Sequence, residues 1–367
     1  MVRPDFNSGA LVLVLPLFSW RRKPDGEKML RTRICDLFGI DFPIISAGMG
    51  GIAGAELAAA VSEAGGLGTL GLAAFGREGI RHEIAAAQTR TRKPLAANLL
   101  VPFLRPGIVE TVAETRIAAV TFFWGDPRDY VDAISILHKA GTKIIWQCGA
   151  AEEARWARDA GVDAIMAQGF EAGGHVRGQI TTLALIPEMR DALVDMPLIA
   201  AGGIADGRGL VAALALGADG AAFGTRFLAS VEAAAHPIYK ERIVRAHAGD
   251  TIHTTLFDVG WPDAPHRVLR TDIVDEWERA GRPESGNRPG EGAAIVSLRR
   301  ADVEVPLVNY TVMPPTDYAD GEIERLPFYA GQSCGLVNEI LPAGEIVRRI
   351  VAEAGRLIAD RLSPLVR

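Results

Sequence analysis

His175 is the side chain in this sequence whose type and surroundings best suit proton transfer. It ends residues 168–175 (QGFEAGGH), where two glycines precede it, so it belongs to a loop and not to the apolar face of a helix. Imidazole titrates near neutral pH and can take a proton from a bound substrate. We therefore predict that His175 is catalytic. Glu171, in the same loop, either orients the loop or the histidine, or is a solvated acid.

Two glycine turns further along the chain have the composition of a phosphate site. Residues 201–207 (AGGIADG) and 223–226 (FGTR) lie one strand-helix unit apart. Glycine leaves backbone N–H groups accessible and Thr225 adds a hydroxyl, a combination that suits an anion. In closed α/β barrels such a site commonly lies after the seventh and eighth strands. The spacing predicts phosphate binding at these two turns.

An earlier glycine-rich turn, residues 47–54 (AGMGGIAG), can bring a flat cofactor close to the backbone. Its G-x-G-x-x-A pattern is a weak signal for a dinucleotide-binding Rossmann fold, and the acidic residue expected after the next strand is missing from residues 67–71 (LGTLG). We interpret it as the first turn at a barrel mouth, where missing Cβ atoms make room for an aromatic ring. A tight structural turn is the alternative.

A repeated pattern of apolar run, polar turn and alanine-rich helix must position these turns. Such alternation indicates a parallel sheet covered by helices, and eight units favour a closed (β/α)₈ TIM barrel over an open doubly wound sheet. The predicted strands are residues 43–47, 67–70, 94–99, 118–122, 143–147, 164–168, 198–201 and 220–223. The predicted helices are residues 54–64, 79–90, 107–115, 128–139, 150–160, 181–194 and 207–216.

The pattern stops after Thr225. Residues 237–248 predict a helix, 250–330 are rich in glycine, proline and charge, and 345–361 form an amphipathic helix that can complete the outer ring. The inserted segment is either a functional cap or a decoration of the barrel. We predict a disordered tail at 1–28, an α/β barrel at 29–230 and 341–367, and a smaller substrate or cap region at 231–340.

Composition excludes several classes of protein. The formal charge of −6 argues against a nucleic-acid surface, which needs a basic stripe. Cys35, Cys148 and Cys334 are widely spaced and odd in number, which predicts neither a zinc site nor a disulfide framework and favours a cytoplasmic protein. The apolar run at 10–18 is too short to span a membrane. We expect no metal, and a homodimer is left open.

Polar and aromatic residues at other strand ends are further candidates. Asn98, Gln147 and Gln168 end the third, fifth and sixth predicted strands, where side chains face the mouth of a barrel. Residues 122–124 (FFW) follow the fourth strand and either wall an apolar pocket or pack in the core. Residues 329–335 (YAGQSCG) interrupt helical sequence late in the chain and could return to the phosphate region.

Together these segments resemble the nitronate monooxygenase family, formerly called 2-nitropropane dioxygenases. The resemblance runs from about Met29 to about residue 340, and the combination of QGFEAGGH with the late AGQ phrase is its most specific part. It implies an FMN-dependent TIM barrel with a smaller substrate domain. The other matching phrases are PIISAGMGG, ELAAAVSEAGGLGTLG, AAGGIADGRG and GADGAAFGTRF.

The resemblance also implies roles for individual residues. His175 would be catalytic, and Gly173 would lie beside the flavin. Residues contacting the isoalloxazine would be Gly48, Met49 and Gly50. Residues contacting flavin ring or ribityl atoms would be Asn98, Gln147 and Gln168. Residues at the phosphate would be Gly203, Gly224 and Thr225, with Gln332 and Ser333 nearby.

The leading hypothesis is oxidation of an alkyl nitronate, with O₂, to a carbonyl compound and nitrite. The barrel motifs are shared with NAD(P)H-dependent flavin reductases of quinones or enoyl thioesters, which form the second hypothesis. A non-catalytic barrel that binds phosphorylated ligands is the third. The three differ in whether the protein carries flavin and in whether nitronates or NADH react with it.

Overall fold

A computed structural model describes residues 19–22, 28–73, 75–300 and 303–366. Eight parallel strands pair in chain order around one sheet. Backbone hydrogen bonds from Ser46 N to Leu67 O (3.0 Å) and from Leu67 N to Ile44 O (2.9 Å) join the first strand to the segment that enters the second, which closes the barrel. The predicted fold is confirmed. The strands are β1 (Ile44–Ser46), β2 (Gly68–Gly71), β3 (Leu95–Leu100), β4 (Ala119–Phe123), β5 (Lys143–Cys148), β6 (Ala164–Gln168), β7 (Leu198–Ala201) and β8 (Gly220–Phe223).

Helices alternate with these strands and form the outer layer. They are α1 (Ala55–Glu63), α2 (Arg77–Arg90), α3 (Ile108–Glu114), α4 (Val131–Lys139), α5 (Ala151–Asp159), α6 (Thr182–Ala192), α7 (Gly207–Ala215) and, near the end of the chain, α8 (Ala343–Leu357). Helix α8 packs against the start of α7, where Gly207 N donates to Glu353 Oε2 (2.8 Å). Its own first turn lies beside Ala64, just after α1. The ring of helices therefore closes with α8, as predicted.

Small and branched side chains fill the barrel interior. Inward-facing positions alternate with outward ones along each strand, so the inner rows contribute one residue in two. The short helix Arg33–Phe38 closes the amino-terminal end of the barrel with Ile34, Cys35 and Phe38, all buried. Because these side chains fill this end of the barrel, we expect ligands to approach the interior from the carboxyl end. The buried interior includes Ile45, Ala96, Ala119, Ile145, Ala164, Met166, Ile199 and Ala222.

A buried carboxylate fastens this plug to the barrel. Asp219, which is fully buried, accepts hydrogen bonds from Arg33 Nε (2.9 Å), Arg190 Nη2 (2.8 Å) and Leu198 N (2.9 Å). Its backbone carbonyl also accepts from the Thr32 hydroxyl. Two cations and a backbone amide thus compensate the loss of water around this carboxylate.

The insertion, the segment between Ser230 and Leu341, contains two small sheets. Each sheet has three strands. In one of them the third strand is Gly174–His175, which comes from the barrel's own β6–α6 loop. The predicted helix at 237–248 is present as Pro237–Arg245 and ends where Ala246 becomes extended. The other elements are the strands Thr251–Thr254, His266–Leu269, Ala294–Arg300, Val303–Val308 and Ala319–Gly321, and the helix Asp272–Arg279.

The amino terminus differs in part from the predicted tail. Ser19–Arg22 forms an antiparallel pair with Lys28–Arg31, so a strand lies inside the segment that we expected to be disordered. Residues 1–18, which include the apolar run, and 23–27 lie outside the described residues. Within the described ranges, no helix has the length and apolar character needed to cross a membrane.

Candidate active site

The carboxyl ends of the barrel strands form a shallow floor of amides and small residues. Asn98, Gln147 and Gln168 continue the inward-facing rows that pass through Ala96, Ile145 and Met166. Asn98 is buried and its Nδ2 lies 3.4 Å from Thr121 O. The structure therefore brings all three predicted amides to one end of the barrel.

The first glycine turn lies against this floor. A Cβ atom at Gly48 would overlap the side chain of Asn98, so a larger residue could not keep this position. The carbonyl of Met49 is packed in the same way against Gly71 at the end of β2. The turn is thus pressed onto strands β2 and β3, and the close approach depends on glycine at positions 48 and 71.

His175 lies in a short strand and not in a loop as the sequence suggests. It pairs with His266 of the insertion, and Val176 N donates to Pro265 O at 2.9 Å just beyond it. On the barrel side, Gln168 Nε2 donates to His175 O at 2.9 Å. Backbone hydrogen bonds from two directions therefore fix the residue that carries the imidazole.

Aromatic rings surround the imidazole of His175. Trp261 stacks on it, with ring centroids 4.0 Å apart and planes inclined by 26°. Trp124 meets it edge-on at 5.9 Å, and Tyr329 and His266 lie at 5.5 and 5.3 Å. Burial, with a smaller contribution from His266, lowers the pKa of His175 to about 3. The imidazole is therefore neutral at physiological pH, with one ring nitrogen free to accept a hydrogen bond.

Trp124 has a backbone conformation that a bulky side chain rarely adopts. Its φ of +69° lies in the left-handed region, directly after β4. Phe122, two residues earlier, instead stacks on Trp146 (centroids 5.3 Å apart) in the layer between strands and helices. Phe122 therefore packs in the core, as one alternative for residues 122–124 predicts, whereas Trp124 turns toward His175.

Glu171 holds the β6–α6 loop, which favours the first of its two predicted roles. Its carboxylate accepts hydrogen bonds from Thr182 N (2.9 Å) and the Thr182 hydroxyl (3.0 Å) at the start of α6. The same hydroxyl lies 2.8 Å from Gly202 O, at the turn after β7. Glu171 and Thr182 together thus link the β6–α6 loop to the turn after β7, one of the two turns where phosphate binding is predicted.

The residues predicted to bind phosphate meet at one side of the mouth. Gly202 and Gly203 have φ angles of +98° and +74°, which only glycine adopts without strain. Gly331 N donates to the Thr225 hydroxyl at 3.0 Å, so the late segment returns to the end of β8. A cleft of about 410 Å³ opens here. Its lining includes Glu171, Gly203, His247, Gln332 and Ser333.

The residues present fit a planar cofactor that carries a phosphate. The Oε1 atom of Gln168 and the Nε2 atom of His175 are buried and have no hydrogen-bond partner among the described residues. Buried polar atoms are rarely left unpaired, so these two atoms suit a bound group with polar edges. Glycine-lined turns lie to one side of them, and the cleft lined by Gly203 and Ser333 has the backbone and hydroxyl groups that suit an anion.

Known proteins resemble this chain over most of its length. A dehydrogenase of Mycobacterium tuberculosis, named for (3aS,4S,5R,7aS)-5-hydroxy-7a-methyl-1-oxo-octahydro-1H-indene-4-carboxyl-CoA, is 38% identical; the match covers 89% of this chain and 96% of the relative. A probable nitronate monooxygenase of Staphylococcus saprophyticus is 36% identical, and the match covers 90% of this chain and 99% of that relative. The solved structure of FabK from Thermotoga maritima superposes with a TM-score of 0.73 at 37% identity. The match covers 91% of this chain and 99% of the FabK chain.

Fold and site together define an oxidoreductase of the (β/α)₈-barrel class. The profile of the nitronate monooxygenase family matches residues 31–107 and 105–353, and the chain belongs to that family. The predicted resemblance is thereby confirmed. Members of this family depend in general on a flavin, and the enzyme hypotheses are favoured over a non-catalytic binding barrel.

Sequence reasoning missed Trp261 and His266, which belong to the insertion, and gave no role to Tyr329. All three contact the imidazole of His175. The only local signal was the aromatic and turn-rich segment 261–266 (WPDAPH) in a region without strand or helix periodicity. Nothing in that pattern indicates which barrel loop it contacts.

Proposed function

We propose that this enzyme binds FMN at the barrel mouth and oxidises alkyl nitronates with O₂ to a carbonyl compound and nitrite. The observation that supports this most directly is the Nε2 atom of His175, which is buried and has no hydrogen-bond partner among the described residues. A nitroalkane becomes a nitronate when a positioned side chain takes its proton, and an unpaired imidazole nitrogen at the barrel mouth is placed to do so.

The proposed cofactor contacts follow the geometry of the floor and the cleft. FMN would supply the electron acceptor of the reaction. The isoalloxazine would lie on Gly48, Met49 and Gly50, beside Gly173. Polar ring or ribityl atoms would contact Asn98, Gln147 and Gln168. The phosphate would be held by Gly203, Gly224 and Thr225, with Gln332 and Ser333 at the cleft.

The chain itself contributes a base and a dry environment. With its own proton on Nδ1, His175 accepts a proton at Nε2 from a neutral nitroalkane; with the proton on Nε2, it donates a hydrogen bond to a nitro oxygen. Trp261 and Trp124 pack on the imidazole, and its Nε2 atom is buried. The backbone bonds at His175 hold the ring in place during proton transfer.

Nitrite release and O₂ uptake with propionate 3-nitronate test this proposal, together with the absorbance spectrum of the purified protein. We expect a flavin spectrum, and we expect His175→Asn to lower kcat/KM with a neutral nitroalkane by about 100-fold or more. His253→Asn is the matched control, because His253 lies in the same three-stranded sheet but packs against Phe170. A flavoprotein that ignores nitronates would contradict the proposal.

A second candidate is an NAD(P)H-dependent flavin reductase of enoyl thioesters or quinones. The observation in its favour is the 38% identity to a dehydrogenase named for a CoA thioester. Anaerobic mixing separates the two candidates. Rapid bleaching of the flavin by NADH, followed by reoxidation with an enoyl-CoA or a quinone, identifies a reductase; bleaching by the nitronate alone identifies the first activity.

A further inference from the structure

Trp261 of the insertion makes a closer contact with the His175 imidazole than Trp124, Tyr329 or His266 does. Its indole is buried and nearly parallel to the imidazole at a centroid separation of 4.0 Å. Two further rings restrain the indole, because Trp124 and Phe103 each meet it edge-on with centroids 5.0 Å away. The ring that faces His175 is therefore itself fixed by residues from the ends of β3 and β4.

The backbone that carries this indole is fixed as well. Trp261 N donates to Asp258 O at 2.9 Å, which closes a tight turn. His266 then joins both flanks of the turn, because its Nε2 accepts from Phe257 N (3.3 Å) and its Nδ1 lies 2.9 Å from Ala264 O. This pattern assigns the proton of His266 to Nδ1. The residue that pairs with His175 along the sheet thus also holds the turn that bears Trp261.

We propose that Trp261 is the positioning residue of His175: its indole fixes the plane of the imidazole and, with Trp124, keeps water from the Nε2 atom. An aromatic residue from the insertion therefore sets the reactivity of a base that belongs to the barrel. The inference rests on the proposed function only where it concerns turnover, since the contact with His175 exists whatever the substrate is.

The surroundings of His175 make this effect measurable. The titratable side chains in contact with its ring are His266, from the neighbouring strand, and Tyr329, from the late segment, whose hydroxyl donates to Val312 O at 2.9 Å. No carboxylate contacts the imidazole among the described residues. Because burial is the largest cause of its low pKa, admitting water by removing the indole must move that pKa upward.

NMR titration of the protein labelled with ¹⁵N-histidine reports this pKa without any substrate, and His175→Asn assigns the signal. We expect Trp261→Ala to raise the His175 pKa by at least one unit and Trp261→Phe to restore most of the original value. Trp277→Ala is the matched control, because Trp277 also belongs to the insertion but its indole donates to Pro283 O. We expect no shift of the His175 signal in that variant.

The same variants connect the positioning role to turnover. With the substrate identified by the assays above, Trp261→Ala should lower kcat more than it raises KM, and Trp261→Phe should recover kcat. An unchanged His175 pKa in a folded Trp261→Ala protein overturns the inference. If nitronates are not substrates but the His175 pKa shifts as expected, the proposed function fails and the positioning role stands.

Discussion

The side-chain amide of Gln168, the last residue of β6, donates a hydrogen bond to the backbone carbonyl of His175 at 2.9 Å. The two residues are seven positions apart, and the loop between them contains Glu171 and two glycines. An amide predicted to contact the cofactor therefore also fixes the main chain of the predicted base. The Nε2 atom of Gln168 is used in this bond, whereas its Oε1 atom is buried and has no hydrogen-bond partner among the described residues.

We expect Gln168→Met to lower kcat/KM by about tenfold and to reduce the free energy of unfolding by about 1–2 kcal/mol, because His175 O loses its donor. Gln88→Met is the control. Gln88 Nε2 makes a bond of the same kind to Thr115 O (3.1 Å), on the outside of the barrel. Steady-state kinetics and urea unfolding should show a similar loss of stability in both variants but a loss of activity only in the first. Equal activities would refute the role of the Gln168 bond.

Stability should fall on acidification through pH 6.5. Burial lowers the pKa of His175 to about 3 and that of His266 to about 4, whereas both rings titrate near 6.5 when unfolded. The unfolded chain thus binds more protons, and this stabilisation is complete above pH 6.5 and lost as pH falls towards the folded values. At pH 5 the loss is about 2 kcal/mol for each histidine.

Urea unfolding at pH 7.5 and pH 5.0 measures this difference. His175→Asn should remove about half of the part that comes from the two histidines, because one of the two groups no longer titrates. His253→Asn removes a half-buried histidine of the same sheet and provides the comparison. If His175→Asn left the pH dependence of the wild type intact, the buried neutral imidazole would be excluded.

Thr225→Val should weaken FMN binding by about tenfold or more, since hydrogen bonds to a charged group contribute about 1.5–3 kcal/mol. The substitution removes the hydroxyl proposed to face the phosphate and the acceptor for Gly331 N. Riboflavin, which lacks the phosphate, should lose much less affinity. Isothermal titration calorimetry with both ligands makes the comparison, and Thr316→Val, whose buried hydroxyl has no partner in the described chain, is the control. Equal losses for FMN and riboflavin would place the phosphate elsewhere.

Asp219→Asn should destabilise the fold by about 3 kcal/mol and leave the affinity for FMN unchanged. The substitution leaves Arg33 and Arg190 without the buried carboxylate that they share, at the end of the barrel away from the mouth. Asp159→Asn, which breaks an exposed pair with Arg158, should change stability by less than about 1 kcal/mol. Urea unfolding distinguishes them; equal effects would mean that the buried network contributes no more than a surface pair.

The barrel was predictable because the same local sequence pattern occurs eight times along the chain. Each unit has a short apolar strand and a helix, and several helices end at a glycine with positive φ, as at Gly65, Gly141, Gly161 and Gly217. These signals give the strands to within a few residues. The carboxyl ends of parallel strands meet at one mouth, so Asn98, Gln147 and Gln168 could also be placed together from the sequence.

The insertion was not predictable in the same way. Its strands are short and belong to two sheets, and one of them pairs with two residues of the barrel loop. Pairing between distant segments leaves no periodic trace in either one, so the contact between Trp261 and His175 could not be read from the sequence. The amino-terminal strand Ser19–Arg22 was missed because it directly follows the apolar run at 10–18 and already contains two arginines of the next charged segment, so it shows no alternating strand pattern.

The strand Gly174–His175 has a consequence for how molecules enter the enzyme. Because the backbone of His175 is paired with a strand of the insertion, the insertion cannot move away as a rigid flap without displacing His175. We therefore expect molecules to enter by rotation of individual rings or along the cleft beside Gly203. Replacing the insertion with a different one would therefore change the surroundings of the His175 imidazole as well as the shape of the entrance.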